Sequence, residues 1–154
     1  GGTLPLDPII NKITGRTKHY INAFGEELMI TNVESALTKA CEETNASVSD
    51  FTGAPVFMKE NEGGAHEWIF EFCEKPDNLE RFIDVFDNHL KSINSDYEAK
   101  RYNNMTLKRP IVHIAKPNLF YGWLESKGKL GGQNKVPRLS NDREYIDPLL
   151  ELNK

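Results

Sequence analysis

Cysteine is scarce in this chain: Cys41 and Cys73 are the only two among 154 residues. Two thiols make neither a disulfide framework nor a metal site on their own, and both are read as reduced core thiols of a cytosolic protein. Long apolar runs are missing as well. No stretch approaches the ~20 residues that span a bilayer, so no membrane-spanning helix is expected, and without a basic-plus-apolar leader no secretory signal is expected either. Positive charge is not in surplus. Nineteen Lys+Arg stand against 23 Asp+Glu, a net charge of −4, which argues against a dedicated nucleic-acid binder. The usual catalytic signatures are absent too: there is no GxxxxGK[ST] phosphate loop, no GxSxG elbow, no HExxH and no CxxC. His19, His66, His89 and His113 are scattered without metal-ligand spacing, so no metal site is expected. The carboxylates form no obvious buried pair.

What is present fits one domain, whose usual length is roughly 100–200 residues. The charge is unevenly spread. Residues 1–99 hold 8 basic and 18 acidic side chains, whereas residues 100–154 hold 11 basic and 5 acidic. Such a split reads either as solvated faces or as a C-terminal third that meets an anionic ligand or an acidic surface.

Residues 1–8 read as a tag remnant or linker, and ordered structure is expected from about Ile9, with a short β-type stretch to Thr14. From Thr31 the pattern turns helical: Val33, Ala36, Leu37, Ala40 and Cys41 recur at three and four, and Thr31-x-x-Glu34 has the form of a capping box. Two short strands follow, Ala46–Phe51 and Pro55–Lys59, with Gly53 at the turn between them. After the Asn61–Gly64 loop signal, His66–Cys73 alternates, with Trp68, Phe70 and Phe72 on one face and Glu67 and Glu71 on the other. Asp77 to Asn94 is the strongest helix, with Leu79, Phe82, Ile83, Phe86, Leu90 and Ile93 as its stripe and Asp77 with Glu80 at its start; His89 is placed at the stripe's edge, partly buried. Arg109–Ala115 reads as a buried strand. Asn118 is placed as the cap of a short helix that Gly128 ends, Lys129–Asn134 as a glycine-containing loop, and Asp142–Leu152 as a terminal helix interrupted near Pro148. The order predicts an α+β domain, a small mixed or antiparallel sheet flanked by helices.

Two segments stand out. Thr14–Leu28 sets an Arg-x-Lys pair after a glycine, then a strand, then Gly25 at a second turn; the pattern also suits a plain hairpin with surface charges. Lys129–Arg138 is a glycine loop that delivers Lys135 just before Pro137, and the same residues suit an ordinary charged loop. Here a resemblance enters. Gly15-Arg16-Thr17-Lys18 through Phe24-Gly25-Glu26-Glu27-Leu28, leading into Asn32-Val33-Glu34, resembles the eighth core motif of the acyl-adenylate-forming superfamily. Ser92–Arg101 and Gln133–Arg138 narrow the match. From about Ile13 to Leu150 the chain resembles the C-terminal lid domain of the Gretchen Hagen three (auxin-responsive promoter) family, in its bacterial branch.

The resemblance implies that residues 9–154 form the mobile C-terminal domain of an ATP-dependent ligase. In that family a carboxylic acid such as a jasmonate, an indole acetate or a benzoate is activated as its acyl-adenylate, and the acyl group then passes to an amino acid as an amide. ATP and Mg2+ are implied to bind mainly on a large N-terminal domain outside this sequence, with none expected in this fragment, which is then inactive alone. The implied partners are that N-terminal domain and the acid and amino acid substrates, with no nucleic acid and no membrane, in the cytoplasm. By position, the resemblance implies that Arg16 contacts the nucleotide and that Lys18 is the hinge. Asn22 and Gly25 fall on the acceptor or transfer loop, and Lys135 is the catalytic lysine of adenylation. Glu26 and Glu27 depart from the superfamily's usual Gly-x-Arg. Ser92–Arg101 is expected to be a structural helix end, with Lys100 and Arg101 adding to a positive face. The alternative is a freestanding α+β module that binds an anionic ligand or partner through its basic C-terminal third.

Overall fold

A computed structural model of the chain describes residues 20–59, 62–128 and 135–154. Its elements, in order, are β1 (Tyr20–Ile21), β2 (Leu28–Met29), α1 (Ile30–Thr44), β3 (Ser47–Phe57), β4 (Gly64–Glu74), α2 (Leu79–Ile93), α3 (Ser95–Arg101), β5 (Ile111–Ile114), α4 (Leu119–Ser126) and α5 (Ile146–Leu152). This is the expected α+β class. The expected stretch at Ile9–Thr14, the 1–8 linker and the 129–134 loop lie outside the described residues.

β4 is the middle strand of the main sheet, antiparallel to β3 and parallel to β5. Its side chains alternate as period two requires. Trp68 and Phe70 enter a cluster with Phe51 and the α1 and α2 stripes, while Ile69 enters a second cluster with Leu119, Trp123, Ile146 and Leu149 of α4 and α5. Helices therefore cover both faces of the sheet. β1 and β2 form a separate antiparallel pair, Tyr20 opposite Met29 and Ile21 opposite Leu28. Ile21 and Leu28 point into the first cluster.

Several boundaries differ from the sequence reading, each for a local reason. β3 is one continuous strand, and Gly53 lies inside it rather than at a turn. A Cβ there would stand 2.4 Å from the Trp68 ring, so the glycine makes room for the indole. The hairpin turn comes later, where the Met58 N–H donates to the Gly63 carbonyl at 2.9 Å. Helix α1 starts one residue early, and the expected Thr31–Glu34 box is replaced by Asn32, whose Oδ1 accepts the Met29 N–H at 3.0 Å. Asn45, in a left-handed conformation, ends it. At α2 the cap is Asn78, not Asp77: its side chain accepts the Arg81 N–H at 3.1 Å, while Asp77 accepts from Asn45. Asn118 is itself left-handed and makes no side-chain cap. Pro148 does not interrupt α5 but occupies its first turn, where a missing N–H does no harm. β5 is only half-buried, since it is an edge strand. Cys41 is half-buried, with burial pushing its thiol pKa up, but Cys73 is exposed, at the outer end of β4, rather than in the core. His89 is partly buried as expected and meets the Ser35 hydroxyl at 2.9 Å.

Candidate functional site

The tight connection between β1 and β2, residues Asn22–Glu27, is held by side chains from several parts of the chain. Asn22, Gly25 and Glu27 face solvent. The chain reverses through two left-handed residues, Gly25 (φ +85°) and Glu27 (φ +42°); glycine adopts such angles freely, whereas a glutamate needs support. The support comes first from the turn itself. The Gly25 N–H donates to the Asn22 carbonyl at 3.3 Å, and the Glu27 N–H to Asn22 Oδ1 at 3.0 Å.

Further support comes from three distant places. Asn141 grips the approaching strand, its Oδ1 accepting the Asn22 N–H at 2.7 Å and its Nδ2 donating to the Tyr20 carbonyl at 3.0 Å. Asn94, at the junction of α2 and α3, donates from Nδ2 to the Glu27 carbonyl at 3.0 Å and to Asn32 Oδ1 at 3.1 Å. Its Oδ1 accepts the Tyr97 N–H at 2.8 Å as the cap of α3. Glu26 turns inward and is fully buried. One carboxylate oxygen accepts the Phe24 N–H at 2.7 Å, and the other lies 2.5 Å from Nε2 of His66 on β4, also buried.

Below His66 lies a buried ionic group. The imidazole stacks on Tyr97 with ring centres 5.9 Å apart. The Tyr97 hydroxyl donates to Asp87 at 2.6 Å, and Arg101 grips the same carboxylate at 2.9 and 2.5 Å. Burial favours the protonated form of Asp87, but the bonds from Arg101 and Tyr97, with the charges of Arg101 and Lys91, outweigh it and hold the pKa below the ordinary aspartate value. Burial and the adjoining Asp87 charge push Tyr97 well up. Arg101 is therefore core, not part of a positive face. Lys100 lies over the turn: a Cβ on Gly25 would stand 3.3 Å from its Cε and 3.5 Å from its Nζ.

Of the residues singled out from the sequence, Asn22 and Gly25 share this turn. Lys135 is exposed on another segment. Immediately after it the chain is pinned: Val136 is buried with α4 and α5, the Thr52 hydroxyl donates to the Pro137 carbonyl at 2.7 Å, and the Gly53 N–H donates to the Arg138 carbonyl at 2.9 Å. Among the described residues no hydrogen bond or ion pair joins Lys135 to the turn. Arg16, Lys18, Gly131 and Gly132 lie outside the described residues. Sequence reasoning missed the Glu26–His66 pair. Its one trace was the acidic residue that departs from the motif at position 26.

Four arginines of the basic C-terminal third pair with acids of residues 1–99. Arg101 pairs with Asp87, Arg109 with Glu80 and Asp84, and Arg143 with Glu67. Arg138 lies 3.7 Å from Glu34 and 4.0 Å from Asp50. These arginines stitch the late chain to the early chain. Among the described residues no three His, Cys, Asp or Glu side chains converge to hold a metal ion, and no helix is long and apolar enough to cross a membrane.

Comparison with known proteins defines the class. The family model for the GH3 family C-terminal domain matches residues 31–144. The chain belongs to the GH3 family, of which it carries the C-terminal domain. A solved structure of a GH3.15 acyl acid amido synthetase superposes with a TM-score of 0.68 at 20% identity, covering 88% of this chain and 26% of its own. One of the AtGH3.15 acyl acid amido synthetase in complex with 2,4-DB gives 0.67 at 18% identity, covering 88% of this chain and 25% of that one. These likenesses concern the fold, and the chain spans about a quarter of the length of the structures it matches. No sequence match to a curated protein was found.

Proposed function

We propose that this domain is the mobile C-terminal part of a cytoplasmic ATP-dependent ligase that adenylates a carboxylic acid and passes the acyl group to an amino acid as an amide. One observation carries the reading: the GH3 C-terminal domain match over residues 31–144 begins just after a turn that leaves Asn22 and Gly25 exposed, open to a neighbouring body. That body is the N-terminal domain of the full-length protein, which would bind ATP, Mg2+ and the acid. The residues described here do not converge on a cation, so no step is assigned to a metal held by this domain.

In the first half-reaction a carboxylate oxygen attacks the α-phosphorus of ATP and pyrophosphate leaves. Lys135, exposed and followed directly by an anchored segment, supplies the ammonium that meets the growing negative charge, and Arg16 contacts the nucleotide. The domain then rotates about Lys18. In the second half-reaction the turn at Asn22 and Gly25 lines the acceptor's approach, the amine attacks the acyl carbon, and AMP leaves. Loss of one such charge donor commonly costs on the order of 10²–10³ in rate. The test uses the full-length protein with benzoate, indole acetate and jasmonate as acids. Lys135→Ala should lower pyrophosphate exchange by that factor and spare amide formation from preformed acyl-adenylate. Absence of adenylation by the wild-type protein with all three acids, or equal loss of both steps in the variant, overturns it.

A further inference from the structure

We propose that Glu26, His66 and Asn94 are positioning residues of the acyl-transfer step, holding the Asn22–Glu27 turn in the geometry that admits the acceptor. The inference rests on the reading above and deepens it. The turn includes a backbone conformation uncommon for a non-glycine residue, since Glu27 stands at φ +42°. Its restraints bracket Gly25. Glu26 fixes the N–H of Phe24, one residue before, and Asn94 fixes the carbonyl of Glu27, two residues after.

A buried acid and imidazole are not needed to fill space, because apolar side chains of similar volume pack as well or better in such a place. An apolar pair has nothing to accept the Phe24 N–H. The carboxylate thus reaches up from the core and ties the backbone of the exposed tip to His66 on β4. Glu26 and His66 are buried, so they act through the turn and not on a substrate. Transfer needs the acceptor nitrogen within reach of the acyl carbon, and a misplacement of about 1 Å costs on the order of 10²-fold.

Asn94→Asp tests this role with the α3 cap retained. Aspartate keeps the acceptor that caps α3 but has no N–H for the Glu27 carbonyl or for Asn32 Oδ1. Glu26→Gln is the conservative partner: its amide oxygen can accept the Phe24 N–H while its amide nitrogen donates to a neutral imidazole. Amide hydrogen exchange on this chain is the first readout. Asn94→Asp and Glu26→Ala should speed exchange at Phe24 and Glu27 by about tenfold or more, as a locally opened segment does, with Glu26→Gln near wild type and the melting temperature of Asn94→Asp lowered less than that of Glu26→Ala. In the full-length protein, with whichever of the three acids is adenylated, Asn94→Asp should keep pyrophosphate exchange while kcat for amide formation falls by roughly 10²-fold, with acceptor KM little moved. Unchanged exchange at the turn, or a loosened turn with wild-type transfer, or equal loss of both half-reactions overturns the proposal. If the wild-type protein adenylates none of the acids, the parent reading fails, and the exchange data alone decide whether the three residues lock the turn.

Discussion

Two buried polar groups sit in contact in this domain, yet they hold different things. Asp87 is gripped by Arg101 and Tyr97, and the network ends within α2 and α3, on the Leu107 carbonyl, which accepts from Arg101 at 3.1 Å, and on the side chain of Asn104, which accepts from Arg101 at 2.5 Å. Glu26 and His66, one ring stack away, direct a bond outward to the backbone of an exposed turn. The first group belongs to the core's own stability. The second converts core rigidity into the shape of a surface. A buried charge is thus read by where its hydrogen bonds end, not by its depth.

The largest effect should come from Asp87→Ala, which strands a buried guanidinium that cannot lose its charge and leaves the Tyr97 hydroxyl without its partner. Removal of one member of such a pair costs about 3–5 kcal/mol, measurable as a fall in the urea midpoint. Glu26→Ala should cost less, about 1–3 kcal/mol, because an imidazole can be neutral at pH 7 and a guanidinium cannot. Equal losses for the two variants in urea would erase the contrast. Acid should separate the groups more finely. With the Asp87 pKa held below its unfolded value, its stabilisation is complete above the unfolded pKa and drains as the pH falls below about 4, through the folded pKa. Urea midpoints measured from pH 7 to pH 2 should therefore fall less steeply for Asp87→Asn than for the wild type. Smallest of all, Arg109→Ala removes an exposed pair with Glu80 and Asp84 and should change stability by about 0–1 kcal/mol. A larger loss would mean that the surface stitching matters as much as the interior.

What the sequence made legible follows from the range of the forces involved. The α1 and α2 stripes and the Trp68–Phe70 face are periodic, and periodicity is local. Gly53 looked like a turn because glycine punctuates chains, whereas its real reason is a tryptophan fifteen residues on in the paired strand. Asn32 and Asn78, rather than Thr31 and Asp77, cap their helices because a shift of one residue changes which side chain reaches the free N–H. The turn at Asn22–Glu27 was visible through its glycine and its motif. Its fastening to His66, Asn94 and Asn141 was not, because each partner lies on an element distant in the chain, and no pairwise pattern in one sequence marks such a meeting.

Asn141 carries a consequence for how the domain is made. It bonds residues 119 and 121 positions earlier, so the β1–β2 turn, among the first described residues to leave the ribosome, is completed only after nearly the whole domain has been synthesised. Helices α1, α2 and α3 and the β3–β4 hairpin draw on nearer contacts and can assemble beforehand. A chain cut just before Asn141 should thus keep much of its secondary structure and lack the finished turn. The part of the domain assigned here to chemistry is sealed from the far end of the sequence, as a late step in folding.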